Sequence, residues 1–208
     1  GWVPQPEDDA PRFHQAMSYP AKLTHLLNAR FQAGGKRLQV MPTELITRNG
    51  DRLREHVLAR AERLSASFAA WVASEVLFVN SLVDRIVSAP LEPAGAVAEP
   101  YALWAIEICE GLILPCTHPA IQPVDSLARI EKLKLHILNL GHSYMAAGWL
   151  ARRGGAEETV RDVMENEVLR ADIADLYTRE VLPVFAAAGY RQEAEPYAAA
   201  TLERFANP

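Results

Sequence analysis

Residues 131–150, EKLKLHILNLGHSYMAAGWL, constrain the fold more than any other stretch of the chain. Leucine, isoleucine, methionine and alanine fall on nearly every side of a helical wheel drawn through them. That is the pattern of a helix buried all round. Yet Lys134, Asn139 and His142 sit inside it. A buried amine, amide or imidazole costs free energy unless it is partnered or used. With Lys134 at the origin and about 100° per residue, Asn139 falls near roughly 140° and His142 near roughly 80°. The three therefore share one side of the predicted helix, and His136 falls on another. Their chemistries are complementary. A desolvated lysine loses its proton more readily and can act as a base near neutral pH. An asparagine NH2 can donate to a developing alkoxide, and an imidazole can hold a hydroxyl. The residues alone also allow a structural reading, with Lys134 reaching out to water and His142 hydrogen-bonded in a core.

The rest of the chain reads as an α/β part followed by a mainly α-helical part. PAKLTHLLNARFQAGG predicts a helix with Pro20 in its first turn and Gly34-Gly35 as its stop. RLQVMP (37–42) predicts a short strand. NGDRLREHVLARAERL predicts a helix, with Asn49, Gly50 and Asp51 as candidate caps. SASFAAWVASE predicts another, and VLFVNSLVDRIV (76–87) a buried strand that meets a polar residue at Asn80. The order resembles part of a parallel α/β sheet. The three prolines of SAPLEPAGAVAEP (88–100) suggest a linker. Helices are expected over 101–110, 125–153, 156–170, 171–188 and 190–206. The expected division is a partial nucleotide-binding, Rossmann-type domain over 1–90 and an all-α substrate domain over 98–208. Gly34-Gly35 lies at a helix end, not between a strand and a helix, so QAGGKR is not a phosphate-binding turn.

Composition narrows the function. The net charge is −5 and no Lys/Arg-rich run occurs, so nucleic acid is not an expected partner. No apolar run is long enough for a membrane span. Cys109 and Cys116 are too few for a disulfide framework, and no Cys/His/Asp cluster has metal spacing. A soluble, cytoplasmic setting is the default expectation.

KLKLHILNLGHS resembles the K-x-x-x-x-N-x-x-H signature of the polyol-specific long-chain dehydrogenases, the mannitol dehydrogenase family, which includes tagaturonate and mannonate reductases. FVNSLVDRIV, PTELITRNGDRLREHV, AEPYALWAIE and LERFANP resemble further blocks of that family, so the resemblance covers nearly the whole chain. It implies NAD or NADP as cofactor and a small polyol or sugar acid as substrate. Lys134 would be the general acid/base, and Asn80 and Asn139 the oxyanion hole. His142 would orient the substrate, and Glu131 would help move protons between Lys134 and water. Glu44 and Asn80 would lie near the nicotinamide. Asp84 and Arg85 are expected to form a structural ion pair. Family chains are longer. They begin with a Rossmann half that carries the glycine-rich turn and continue past the position of LERFANP. The 208 residues therefore read as an internal piece of such an enzyme. The alternative is a non-catalytic remnant that serves as a binding or oligomerisation domain. Oligomeric state is left open.

Overall fold

Pro20 stands in the first turn of helix α1 (Tyr19–Gln32), where its missing N–H leaves no helical bond unmade. The helix stops where Gly34 turns to φ 69°, a left-handed conformation that only glycine adopts cheaply. The computed structural model describes residues 2–206. Strand β1 (Leu38–Val40) follows α1, and helices α2 (Asn49–Leu64) and α3 (Ala66–Glu75) lead to strand β2 (Val76–Phe78). The two strands pair in parallel, Leu38 opposite Val76 and Val40 opposite Phe78. A parallel pair needs a crossover of this kind. On α2, Leu53, Val57 and Ala61 repeat at helical spacing and are fully buried. They pack with Leu27, Phe68, Val72, Val40, Val76 and Phe78 into one core. Each large apolar side chain buried this way contributes about 1.5–3 kcal/mol.

The expected continuous strand over 76–87 is two strands. β2 ends at Phe78, and β3 (Ser81–Asp84) joins a different sheet. The break falls at Asn80, whose side chain turns back to α2. Its Oδ1 accepts from the Asp51 N–H at 3.1 Å, satisfying a donor left open in the first helical turn. Asn80 thus does from a distance what Asn49, Gly50 and Asp51 were expected to do locally. Asn49 instead lies buried, donating to the carbonyls of Pro42, Glu44 and Ser81. The helix start is tight against the strand end. A Cβ on Gly50 would stand 2.5 Å from the Val79 carbonyl carbon and 2.7 Å from Asn80 N.

Residues 88–110 differ from expectation. Strands β4 (Val87–Leu91) and β5 (Gly95–Ala98) form an antiparallel hairpin where a linker was expected. Of the three prolines that suggested a linker, Pro90 lies within β4, Pro93 in the turn and Pro100 beyond β5, and β4 is exposed along its whole length, so no alternation of apolar and polar residues betrays it. Strand β6 (Leu103–Glu107) stands where a helix was expected. LWAIE is too short for periodicity to separate the two. β6 lies between β3 and β7 (Ile121–Val124), pairing in parallel with β7.

The chain divides into two compact units, Gly1–Val83 with Leu103–Leu127, and Asp84–Ala102 with Ala128–Pro208. The first holds the parallel pair and the helices around it. The second holds the hairpin and the helical remainder. Helix α4 (Ala128–Leu133) runs into a π-helical turn, Lys134–Asn139, and on into α5 (Leu140–Arg152). α6 (Val160–Glu165) starts from a Thr159–Asp162 capping box. Asn166 ends α6 and caps α7 (Glu167–Leu176), so the helix expected over 156–170 is broken there. A second π turn, Tyr177–Val181, precedes α8 (Leu182–Ala187), whose first turn contains Pro183. A proline there cannot donate backwards and crowds the preceding turn, and a widened turn accommodates it. α9 (Arg191–Ala206) closes the unit. Ile137, Met145, Ile173, Tyr177, Phe185, Ala198 and Phe205 form its core. The architecture is a Rossmann-type α/β region followed by a helical C-terminal region.

Candidate active site

The π turn changes the geometry of the opening motif. In a π-helix the backbone bonds span five residues rather than four, as the Leu140 N–H to Leu135 carbonyl bond does here. Asn139, five residues after Lys134, therefore stands one turn above it, where an α-helix would swing it roughly 140° away. His142 follows three residues on, within α5. The inserted residue gathers the three onto one face more closely than a regular helix could. Single π turns of this kind concentrate at functional sites.

Lys134 is buried, and its Nζ lies 3.9 Å from Oδ1 of Asp84, the last residue of β3. Burial lowers the proton affinity of Lys134. Asp84 opposes that shift and the Arg204 guanidinium adds to it. Asp84 is itself held from several sides. Arg204 donates to Oδ2 at 3.0 Å and to Oδ1 at 3.1 Å, and the Tyr197 hydroxyl donates to Oδ2 at 3.2 Å. The same guanidinium donates to both oxygens of Glu99, at 3.0 and 2.7 Å. Glu99 also accepts the Ile86 N–H at 2.6 Å. Arg204 lies over the Tyr101 ring, 4.3 Å from its centre. Burial works against the Arg204 charge, but the bonds to Glu99 and Asp84 outweigh it and hold the proton more tightly than usual. Burial likewise pushes the Tyr197 and Tyr101 hydroxyls up, reinforced by the Asp84 charge.

His142 is half-buried, its ring edge-on to Phe205 at 4.6 Å between centres. Burial and then the Arg204 charge lower its pKa, partly opposed by Asp84 and Glu99. It borders a cavity of about 420 Å³ lined also by Ser88, Thr159, Arg161, Arg204 and Phe205. Asn139 and Glu131 are half-buried on the same helical run.

The remaining expected residues belong to the first unit. Asn80 donates its amide hydrogens to Asp51 at 2.9 Å and Glu107 at 2.8 Å. The group expected to serve as an oxyanion donor is thus engaged by two carboxylates. Glu44 is exposed on the loop after β1, and its carbonyl accepts from Asn49 at 3.0 Å. Both residues follow the carboxyl end of a strand in the parallel pair, the edge at which open α/β sheets bind ligands.

The expected Asp84–Arg85 ion pair is replaced by Asp84–Arg204. Arg85 donates instead to the Glu99 carbonyl at 3.0 Å. The sequence held one hint of this, since Glu99 and Arg204 each lie in a family-like block, AEPYALWAIE and LERFANP, without assigned work. Cys109 and Cys116 are both free. Among the described residues, no His/Cys/Asp/Glu group could hold a metal ion, and no helix is long and apolar enough to cross a membrane.

A parallel α/β region joined to a helical unit with a buried lysine defines a class, and comparison with known proteins gives it a family. The mannitol dehydrogenase Rossmann domain matches residues 14–112, and the mannitol dehydrogenase C-terminal domain matches residues 126–208. The chain belongs to the mannitol dehydrogenase family. It is 34% identical to an altronate oxidoreductase of Bacillus subtilis (strain 168) over 92% of this chain and 43% of that protein. It is 33% identical to one of Enterobacter sp. (strain 638) over 97% of this chain and 45% of that protein. The chain therefore spans a little under half the length of these relatives. Its fold resembles the crystal structure of a D-sorbitol dehydrogenase in substrate-free form, with a TM-score of 0.70 and 23% identity over 93% of this chain and 42% of that one. It also resembles a Pseudomonas fluorescens mannitol 2-dehydrogenase in ternary complex with NAD and D-mannitol, with a TM-score of 0.70 and 19% identity over 92% of this chain and 41% of that one.

Proposed function

We propose that the chain carries the catalytic helix of an NAD- or NADP-dependent oxidoreductase that interconverts a secondary alcohol and a ketone on a sugar acid or sugar alcohol. The observation that carries this reading is the buried amine of Lys134 at the start of a π turn, with Asn139 one turn above it. In oxidation, Lys134 Nζ takes the proton from the substrate hydroxyl, and in reduction it returns one to the carbonyl oxygen. Its lowered proton affinity suits exchange near neutral pH. The Asn139 amide donates to the reacting oxygen as charge builds there. His142 holds a neighbouring substrate hydroxyl at the mouth of its cavity, and Glu131, one turn before Lys134, passes protons onward to water. The family resemblance gives Asn80 the part of a second donor; its amide is held by Asp51 and Glu107.

A bound NAD or NADP would supply the redox chemistry, the transfer of a hydride to or from the carbinol carbon. The strand-end positions of Glu44 and Asn80 fit its nicotinamide end. The resemblance to altronate oxidoreductases favours a sugar acid over a neutral polyol.

The test is NADH binding by calorimetry, followed by a screen of hexonates and hexitols for turnover. Lys134→Ala is expected to keep the circular dichroism spectrum and cofactor binding while losing turnover by about 100-fold or more. Undiminished turnover in that variant would remove Lys134 from the reaction. A chain that binds no NADH would instead favour a non-catalytic binding or oligomerising role.

A further inference from the structure

The Asp84 cluster has no place in the proton path described above, yet it is densely bonded. Asp84, Glu99 and Arg204 are each buried and held by short bonds to one another. Together they carry one net negative charge, two carboxylates against one guanidinium. The Lys134 ammonium, its Nζ 3.9 Å from Asp84 Oδ1, is a cation placed to neutralise it. That distance is long for a hydrogen bond and short for an unscreened charge in a dry site. Asp84 cannot turn to meet the amine, because Arg204 grips both of its oxygens and Tyr197 a third direction. Arg204 cannot follow, because Glu99 holds its other edge.

We propose that Asp84 is the positioning residue for the Lys134 amine, and that Arg204, anchored by Glu99, holds Asp84 at a fixed distance from it. The proposal rests on Lys134 being the acid/base of the reaction only for its consequence, since the coupling itself is measurable without substrate. The arrangement gives Lys134 a fixed counter-charge that does not compete for its proton through a direct hydrogen bond. Asp84 favours the protonated amine, and Arg204 opposes it. Asp84 and Arg204 act on the amine directly; Glu99, Tyr101 and Tyr197 face that pair, and Glu131 and His142 lie on the same helical run as Lys134. Asp84, Glu99 and Arg204 also bear on His142, so the same field reaches the substrate side of the helix.

The chain has only four lysines, Lys22, Lys36, Lys132 and Lys134, so the protein labelled with 13C at lysine Cε gives a titration that can be followed by NMR residue by residue. Lys134→Met assigns the signal. Asp84→Asn is expected to move the Lys134 midpoint down and Arg204→Gln to move it up, while the other three lysines stay in place. Opposite signs separate coupling from loosening, since loss of structure would carry both variants upward toward a free lysine. Tyr197→Phe removes a single hydroxyl from Asp84 and is expected to stay folded with the Lys134 midpoint raised. It decides the matter if the charge variants unfold, provided its urea midpoint and circular dichroism are unchanged, which excludes loosening as the cause of the rise. Folded variants with an unmoved Lys134 midpoint would overturn the proposal and leave the cluster a structural clamp. If the midpoint moves as expected but no hexonate or hexitol turns over, the coupling stands and the reading of the reaction fails.

Discussion

The hydroxyl of Tyr177 donates to the backbone carbonyl of Ile137 at 2.8 Å, and it passes directly over Gly141 to do so. Tyr177 opens one π turn and Ile137 lies inside the other, so a single bond ties the two irregular turns of the helical unit together. A Cβ on Gly141 would collide with that hydroxyl and stand 2.7 Å from Phe205 Cε2. Gly141→Ala is expected to destabilise the protein by about 1–3 kcal/mol, the usual range for overpacking a tight core. Urea unfolding checks it, with an unchanged slope marking a pure stability effect.

Tyr177→Phe keeps the ring and deletes the donor. Tyr177 is 2% exposed, so no water replaces the lost bond freely. The expected loss is about 0.5–1.5 kcal/mol. A larger loss accompanied by altered far-ultraviolet dichroism would show that the bond sustains the π turn itself.

Gly50→Ala should cost more than Gly141→Ala. The atoms its Cβ would meet are the backbone of Val79 and Asn80, which cannot swing aside as a side chain can. About 3 kcal/mol or more is expected, read as a fall in the urea midpoint. A neutral result would mean that α2 slides freely off the end of β2.

Arg204→Met leaves Asp84 and Glu99 buried and facing one another without their shared cation. Breaking such a pair by removing one partner costs about 3–5 kcal/mol. The triple variant Asp84→Asn, Glu99→Gln, Arg204→Met is expected to recover part of that loss, because no buried carboxylate is then left without its guanidinium. Thermal unfolding at matched pH compares the two.

Stability should also rise with pH across the titration of His142. Its folded pKa lies below the usual 6.5 because burial and Arg204 disfavour the imidazolium. As pH falls through 6.5 the unfolded chain takes up a proton that the folded chain refuses. Stability is lost from there down to the folded pKa and then levels off. His142→Gln is expected to flatten the stability profile below pH 6.5. An identical slope in both proteins would assign the dependence to other groups.

Several elements were legible because local chemistry alone specifies them. The Pro20 start and glycine stop of α1, the apolar spacing of α2 and the short β1 need no distant partner to be recognised. The helix bearing Lys134, Asn139 and His142 was legible for the same reason, as was its likeness to one family. The hairpin over residues 87–98 and strand β6 were not, because exposed or five-residue strands carry no period that distinguishes them from a linker or a short helix.

The same division runs through the candidate site. The sequence by itself determined that a lysine, an amide and an imidazole would lie along one apolar helix, since residue order and helical periodicity are enough for that. Only the tertiary structure decided that a π turn stacks Asn139 above Lys134, that Arg204 rather than Arg85 is the partner of Asp84, and that Asn80 is engaged by Asp51 and Glu107. Asp84 and Arg204 are 120 residues apart. A bond between them is made by the packing of α9, a relation that no local periodicity encodes.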